Sequence, residues 1–286
     1  MSQANTLLEV RGLSRSFGGI RAVDSLSFDA KLGDITGLIG PNGAGKTTVF
    51  NLITGVYIPD GIGIVRLNGQ NLVGKRPHEI VLAGVSRTFQ NIRLFKRMTC
   101  IENVMTPLLV RGKSSPLAAF FRTRFVREEE ARARKAAMTI LGEMGLAEAA
   151  DRVASTLPYG LQRKLEIARA LACVPQTEPD SSFGAGASRL LLLDEPAAGM
   201  NEAETNELRD TILKVRKEFN VTMLLIEHHI SLVMDVCDHI VVMDRGALLA
   251  EGTPSAVRND ERVITAYLGR PRTRGRERKK QHENMS

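Results

Sequence analysis

The chain has 286 residues, of which 43% are hydrophobic and 25% are charged. A chain of this length and composition can bury a sizeable core in one large or two small domains, which excludes a wholly disordered protein. Its apolar runs are far shorter than the ~20 residues that a membrane-spanning helix needs. The N-terminus has no basic segment followed by an apolar stretch, so no secretory signal is predicted and the expected compartment is the cytoplasm.

The net charge of +7 is concentrated at the C-terminus. Residues 270–286 carry seven Lys and Arg side chains against two Glu, whereas the rest of the chain is almost balanced. A basic segment of this kind could contact RNA or anionic lipid, but its composition favours a disordered, solvated tail. We therefore expect no specific nucleic-acid partner.

The three cysteines, Cys100, Cys173 and Cys237, are odd in number and widely spaced. This pattern argues against a disulfide framework, and the absence of a CxxC pair argues against a zinc site. We expect three reduced, partly buried thiols.

The predicted elements alternate between strands and helices, with a helical insertion in the middle. The first part has strands at 7–10, 25–30, 35–39 and 63–67 and one helix, from Thr47 to a closing Gly55. Residues 92–156 are charged and Ala-rich, and apolar residues at helical spacing predict a helix at 127–145. Helices at 162–172, 202–219 and 230–236 then alternate with strands at 190–193, 222–226 and 240–243. This alternation predicts a parallel sheet covered on both faces.

A long segment separates the helix at 162–172 from the next strand. Residues 174–188 are rich in Pro, Gly and Ser and show no period. Their number is at the upper limit of an ordinary loop, which predicts either a mobile insertion or a contact surface.

A phosphate-binding motif follows the third predicted strand. Its residues match GxxxxGK[ST] and are Gly40, Pro41, Asn42, Gly43, Ala44, Gly45, Lys46, Thr47 and Thr48. The glycines allow successive N–H groups to turn toward phosphate oxygens, and the following helix adds its positive end. Lys46 is expected to reach the β- and γ-phosphates, and Thr47 to hold Mg²⁺. The motif predicts a site for a nucleoside triphosphate.

A second acidic motif ends the apolar strand at 190–193. Hydrolysis of a nucleoside triphosphate needs a carboxylate for the metal and a group that orients the attacking water. Asp194 is expected to anchor Mg²⁺ through its water shell, and Glu195 to polarise the nucleophile. An acidic strand end is a weak signal alone, but beside the phosphate-binding motif it predicts a nucleoside triphosphate hydrolase.

Further segments resemble the ATP-binding subunits of ABC transporters, over roughly residues 6–269. The segment SFGGIRAV at 16–23 is similar to the family's adenine-contacting stretch, which implies that Phe17 stacks on adenine and Val23 packs nearby. The alternative for Phe17 is a position in the core. RTFQN at 87–91 resembles the Q-loop, which implies that Gln90 touches Mg²⁺ or the attacking water. A neutral amide suits such a reversible contact, because it can both donate and accept.

The ABC signature segment, at 157–162, has an altered form, LPYGLQ. In the family this segment opens a helix that faces the γ-phosphate bound to the other subunit, which implies a dimer and a close approach at Gly160. Pro158 stands where the family usually has Ser or Ala, and Leu161 where it usually has Gln, so a hydroxyl contact is missing. We infer a weakened trans site. It favours the hypothesis of a non-identical partner subunit, while an identical partner stays open.

Two more segments complete the resemblance. PAAGMN at 196–201 resembles the D-loop, with Asn201 where the family often has Asp, and this implies a contact near the nucleotide. His228, at the end of a predicted strand, matches the switch histidine that contacts the γ-phosphate. We interpret His229 as a surface residue.

The match narrows to the ATPase subunits of branched-chain amino acid importers. The segments that carry it include TFQNIRLF, LEIARAL, LDEPAAGMN and LLIEHHISLVM, and LDEPAAG and AYLG are the most diagnostic. The resemblance implies an α/β fold: a RecA-like P-loop NTPase core with a parallel sheet, an N-terminal antiparallel β subdomain and an inserted helical subdomain. We place the catalytic core at 1–91 and 166–269, the helical subdomain at 92–165 and the tail at 270–286.

The implied function is that of an ATP- and Mg²⁺-dependent motor at the cytoplasmic face of the inner membrane. Its partners would be two integral membrane permease subunits, a second ATPase subunit and, through the complex, a periplasmic or extracellular substrate-binding protein. A groove at 92–99, with Leu94 and Phe95, is expected to receive a permease coupling helix. Two alternatives stay open: an ATPase for export of a lipid or glycolipid, and a soluble ABC ATPase that acts on nucleic acid or ribosomes. The transported substrate is not readable from the ATPase motifs.

Overall fold

The computed structural model describes residues 5–110, 124–173 and 189–268. The predicted loop at 174–188 and the predicted basic tail at 270–286 lie outside these ranges. Within them, no helix combines the length and apolar character that crossing a bilayer requires.

Ten strands and nine helices are defined in these ranges. The strands are β1 (Thr6–Phe17), β2 (Ile20–Lys31), β3 (Ile35–Ile39), β4 (Ile64–Leu67), β5 (Gln70–Asn71), β6 (Val85–Arg87), β7 (Leu190–Asp194), β8 (Thr222–Ile226), β9 (His239–Asp244) and β10 (Ala247–Gly252). The helices are α1 (Lys46–Ile53), α2 (Pro77–Leu82), α3 (Cys100–Val110), α4 (Arg124–Glu143), α5 (Tyr159–Cys173), α6 (Glu202–Phe219), α7 (Ile230–Val236), α8 (Pro254–Arg258) and α9 (Glu261–Leu268).

The strands form two sheets, as the α/β prediction requires. The N-terminal sheet is antiparallel and has the order β2-β1-β4-β5. The second sheet has the order β10-β9-β3-β8-β7-β6, in which β9 to β6 are parallel and β10 pairs antiparallel with β9. The predicted parallel sheet and N-terminal antiparallel sheet are confirmed.

Alternating side chains of the central strands bury both faces of the parallel sheet. On β7, Leu191 and Leu193 pack with α3, α4, α5 and α6, whereas Leu190 and Leu192 pack with α1 and the N-terminal sheet. β3, β7 and β8 are buried along their whole length. This burial explains their continuous apolar sequences, because a strand covered on both sides has no solvent-facing position.

Several elements differ from their predicted bounds. β1 and β2 reach the tight turn at Gly18 and Gly19, well beyond 7–10 and 25–30, because irregular register lets the hairpin continue through polar residues. α5 starts at Tyr159, three residues before the predicted 162, since it begins directly after Pro158. Strands β5, β6 and β10 were not predicted. α5 also runs continuously through residue 165, so the predicted domain boundary there falls inside a helix, and the division into domains stays a prediction.

None of the three cysteines, all of which lie in the described ranges, forms a disulfide. Cys237 is buried, and burial together with the nearby charge of Asp238 raises the pKa of its thiol to about 12. Burial also raises the pKa of Cys100. Because the thiolate is the reactive form, both groups should be inert in the folded protein.

We therefore predict that a maleimide reagent at about pH 7 labels neither Cys237 nor Cys100 in the native chain, because both thiols stay protonated and covered. Half-buried Cys173 should react first. Peptide mass spectrometry before and after urea unfolding would measure this order. Rapid native labelling of Cys237 would contradict the prediction.

Candidate functional site

The candidate site lies at the carboxyl edge of the parallel sheet, where β3, β8 and β7 end side by side. The phosphate-binding loop follows β3, Glu195 follows β7, and the segment with His228 follows β8. The central position of β8 is set by its parallel pairing with both neighbours. Thus three segments that are distant in sequence meet at one edge.

Two glycines of the phosphate-binding loop are required by close backbone packing. A Cβ on Gly40 would lie 2.2 Å from the Met243 carbonyl oxygen, and a Cβ on Gly45 would lie 2.2 Å from the Ala22 carbonyl oxygen. Gly43 differs, because its φ of +80° needs glycine while the space around it is open. The loop is therefore packed against the fold at both ends and presents an open cradle between them.

Lys46 is buried inside this loop. Its Nζ donates to the carbonyl oxygens of Gly40, at 2.8 Å, and Pro41, at 3.0 Å. Burial lowers the pKa of Lys46, while the charges of Glu195 and Asp194 oppose that shift. Thr47 is exposed at the start of α1, and no hydrogen bond within the described ranges involves its hydroxyl. A phosphate group could thus take over the bonds of Lys46, and Thr47 is free to act as a ligand.

Glu195 stands at the centre of the predicted catalytic group. Gln90 Nε2 donates to its Oε2 at 2.8 Å, and His228 Nε2 lies 2.8 Å from its Oε1. The Glu195 backbone has φ +48°, a strained conformation for a residue with a side chain. Its N–H donates to the Ile226 carbonyl at the end of β8, at 2.9 Å. The three residues predicted to be catalytic are therefore in direct contact, and their roles stay predictions.

Asp194, the predicted metal ligand, is paired with a residue that the sequence analysis passed over. Arg87 Nη2 donates to Asp194 Oδ2 at 2.6 Å, and both side chains are buried. Arg87 Nη1 also donates to Asn51 on α1, at 2.7 Å, and the guanidinium lies over the ring of Phe50. Burial raises the pKa of Asp194, an effect that the hydrogen bond from Arg87 opposes. The sequence did not indicate this pair because Arg87 and Asp194 are far apart along the chain.

Glu227 is a second residue that sequence reasoning missed. Its carboxylate is 1% exposed and accepts hydrogen bonds from the N–H groups of Ala197, at 2.7 Å, and His228, at 2.9 Å. It also contacts His229, whose ring lies at the surface with Nδ1 at 3.3 Å. The buried Glu227 carboxylate thus links the D-loop to His228, because it accepts hydrogen bonds from N–H groups of both segments.

The remaining predicted residues have contacts within the chain. Asn201 caps α6, since its side chain accepts from Glu204 N–H at 3.0 Å. Phe17 is 38% exposed and packs edge-to-face on Tyr57, with Arg15 over its ring, whereas Val23 is fully buried. Phe17 is therefore partly accessible, and the proposed contacts of all three residues with a nucleotide stay predictions.

Gly160 lies in the first turn of α5. A Cβ there would meet nothing closer than 3.8 Å, and the backbone is helical. Neither conformation nor packing within the described ranges therefore requires glycine at this position. The neighbouring Leu161 is half-buried and packs on the core.

We predict that Arg87→Met lowers the free energy of unfolding by about 3–5 kcal/mol, because it leaves the Asp194 carboxylate buried without a partner. Adding Asp194→Asn should restore part of this loss, since the charge is then removed as well. Urea unfolding without nucleotide or magnesium measures both effects. Arg66→Met, which breaks a half-exposed pair with Glu9, is the control and should cost less than about 1 kcal/mol. Equal losses in Arg87→Met and Arg66→Met would contradict the prediction.

The chain is similar to known proteins in family, sequence and structure. A family model described as "ABC transporter" matches residues 23–178, and one described as "Branched-chain amino acid ATP-binding cassette transporter" matches residues 247–272. The branched-chain amino acid transport ATP-binding protein BraF of Pseudomonas aeruginosa is 47% identical over 92% of this chain and 98% of its own. The corresponding protein LivG of Escherichia coli is 44% identical with the same coverage.

Solved structures agree with this assignment. The ADP conformation of MJ1267, an ATP-binding cassette of an ABC transporter, superposes with a TM-score of 0.75 at 32% identity, covering 92% of this chain and 99% of that one. A nucleotide-free ATP-binding cassette from an ABC transporter gives a TM-score of 0.74 at 31% identity with the same coverage. The chain therefore belongs to the ATP-binding subunits of ABC transporters, as an ATPase of the branched-chain amino acid type.

Proposed function

We propose that the chain is a motor subunit that hydrolyses ATP to drive import of branched-chain amino acids. The observation that carries the proposal is the cluster of Glu195, Gln90 and His228 beside the phosphate-binding loop. The names of BraF and LivG and the family match at 247–272 support the substrate class.

Each predicted site residue has a place in hydrolysis. Lys46 and the loop N–H groups would bind the phosphates, and one side of the Phe17 ring would support adenine. Glu195 would orient a water molecule toward the γ-phosphorus and accept its proton, while the bond to the β–γ bridging oxygen breaks and ADP leaves. His228 would donate to the γ-phosphate as negative charge moves to its oxygens.

A magnesium ion fits the polar groups of this site. The unengaged hydroxyl of Thr47 and the carboxylate of Asp194 are oxygen donors of the type that Mg²⁺ takes, and Gln90 could add an amide oxygen. When bound, the ion neutralises charge on the phosphates. Arg87 would hold Asp194 in place whether or not the ion is present.

The contacts of Glu195 describe a resting arrangement. Both of its carboxylate oxygens are engaged, one by Gln90 and one by His228. While Nε2 of His228 lies against Glu195, it cannot also donate to a γ-phosphate. Release of Gln90, His228 or both would be needed before hydrolysis, and this fits a subunit that partners activate.

Gly160 supports assembly into a dimer. Nothing in the described part of the chain requires glycine at this position, whereas a nucleotide held by a second subunit would need a bare backbone there. Pro158 and Leu161 supply no polar side chain at this surface. We therefore favour a non-identical ATPase partner, and Pro158→Ser should raise the ATPase rate of the assembled complex.

An apolar groove supports the permease partners. It has a volume of about 640 Å³ and lies between α2 and β6 on one side and α3 and α5 on the other, lined among others by Val56, Leu82, Phe95, Pro107 and Val110. Phe95, from the expected 92–99 segment, lines it, while Leu94 packs into the core instead. Apolar grooves of this kind receive amphipathic helices. The chain would then sit at the cytoplasmic face of the inner membrane, with two permeases and, through them, a substrate-binding protein.

Glu195→Gln tests the catalytic assignment. We predict that it lowers the ATPase rate at least about 100-fold, because the group that accepts the proton is lost, and leaves ATP affinity almost unchanged. Steady-state hydrolysis and fluorescent-ATP titration measure the two quantities. Exposed Glu207→Gln is the control and should keep the wild-type rate. Normal turnover by Glu195→Gln would refute the assignment.

Leu82→Glu tests the groove. Because it places a charge on the apolar wall, we predict that less permease co-purifies from detergent-solubilised membranes, while basal ATPase activity of the isolated chain is retained. Ile62→Glu, at a 99% exposed position outside the groove, is the matched control.

A single preparation then tests the substrate class. Proteoliposomes with the recovered complex should accumulate leucine, isoleucine or valine only with ATP. Recovery of ribosomes or nucleic acid without permeases, or ATP-driven lipid export, would replace the proposed function.

A further inference from the structure

A buried ion pair on α5 holds the Q-loop by its backbone. Arg163 is 0% exposed, and its Nη1 donates to the Phe89 carbonyl oxygen at 2.7 Å. Its Nη2 donates to the carbonyl oxygen of Gln90 at 2.8 Å. The guanidinium thus binds two successive carbonyl groups of the loop that carries the Gln90 amide.

Glu166 accepts hydrogen bonds from backbone N–H groups of the same loop. It is 1% exposed and pairs with Arg163 Nη1 through Oε2, at 2.7 Å. Its Oε1 accepts from the N–H of Arg93 at 3.1 Å and lies 3.4 Å from the N–H of Phe89. On α5, Arg163 therefore binds carbonyl groups of the Q-loop, while Glu166, three residues later, binds its N–H groups.

The same end of α5 also contacts the D-loop. Tyr159 Oη donates to the carbonyl oxygen of Ala198 at 2.8 Å and lies 3.4 Å from Arg163 Nη2. α5 begins at Tyr159, within the signature segment and directly after Pro158. The N-terminal end of α5 thereby contacts both the Q-loop, through Arg163, and the D-loop, through Tyr159.

Packing alone does not explain charges at these two positions. Burying an ion pair carries a desolvation cost that apolar residues of similar volume avoid. An arginine fork, however, binds two carbonyl groups in a fixed geometry, which an apolar side chain or a single ammonium cannot do. Compared with apolar residues, Arg163 and Glu166 therefore provide directional hydrogen bonds to the Q-loop backbone.

We infer that Arg163 and Glu166 are positioning residues that make the Q-loop move with α5. A shift of the signature segment would then move the Gln90 backbone and break or restore the bond between its amide and Glu195. The inference depends on the ATPase activity, and it does not depend on the transported substrate or on the identity of the partner subunit.

The test compares the purified full-length chain with Arg163→Met/Glu166→Leu, which removes both charges and leaves neither one buried alone. We expect the double variant to fold and its KM for ATP to stay within about twofold, because the phosphate-binding loop is untouched, while kcat falls at least about tenfold. Amide hydrogen exchange should accelerate in a peptide covering 88–93 and stay unchanged in one covering 40–48. Unchanged exchange at 88–93 with wild-type kcat would overturn the inference.

Two single variants keep the test decisive if the double variant does not fold. Arg163→Lys retains the charge beside Glu166 but cannot reach both carbonyl groups, so we expect faster exchange at 88–93 and a smaller loss of kcat. Lys164→Gln removes the adjacent pair with Glu207 on the outer side of α5 and should match wild type in both measurements. Arg163→Lys indistinguishable from wild type would overturn the inference, as would an equal effect of Lys164→Gln. Because exchange is measured on the isolated chain, this result is separate from the outcome of the transport assay.

Discussion

The parallel pairing of β3, β8 and β7 is the constraint on which the site depends. Neighbouring strands lie about 5 Å apart, so the ends of β3 and β7 are separated by about 10 Å with the end of β8 between them. The phosphate-binding loop and Glu195 consequently face one another across the segment of Glu227 and His228. A register shift in this sheet would move the strand ends and misalign the site, although no residue of the site would be altered.

Buried charged side chains then shape the loops that leave these strand ends. Lys46 binds carbonyl groups of the phosphate-binding loop, Glu227 binds N–H groups of the D-loop and switch segment, and Arg163 binds carbonyl groups of the Q-loop. A loop has few backbone partners of its own, and buried polar groups without partners are costly. Charged side chains supply strong partners and also allow exchange, because a phosphate can replace the carbonyl groups as the partner of Lys46.

The sequence predicted those parts of the site that local spacing specifies. The phosphate-binding loop, the strand that ends at Asp194 and the helix bounds 202–219 and 230–236 follow from contiguous patterns, and the structure has them as predicted. The contact between Arg87 and Asp194 joins residues 107 positions apart, so no local pattern marks it. Arg163 and Glu166 were missed for another reason. Charges three apart on a helix normally indicate a solvated face, whereas here the Q-loop covers them.

The groups that would perform hydrolysis are also those that hold Glu195 at rest. Hydrogen bonds to a charged group contribute about 1.5–3 kcal/mol each. The two contacts on the Glu195 carboxylate therefore restrain its position substantially. The Gln90 backbone is held in place, since Arg163 binds its carbonyl group and that of the preceding Phe89. Its release would therefore follow a displacement of α5, the helix that borders the apolar groove and opens with the signature segment. A movement of α5 caused by the permease or by the partner subunit would therefore also change the contact between Gln90 and Glu195.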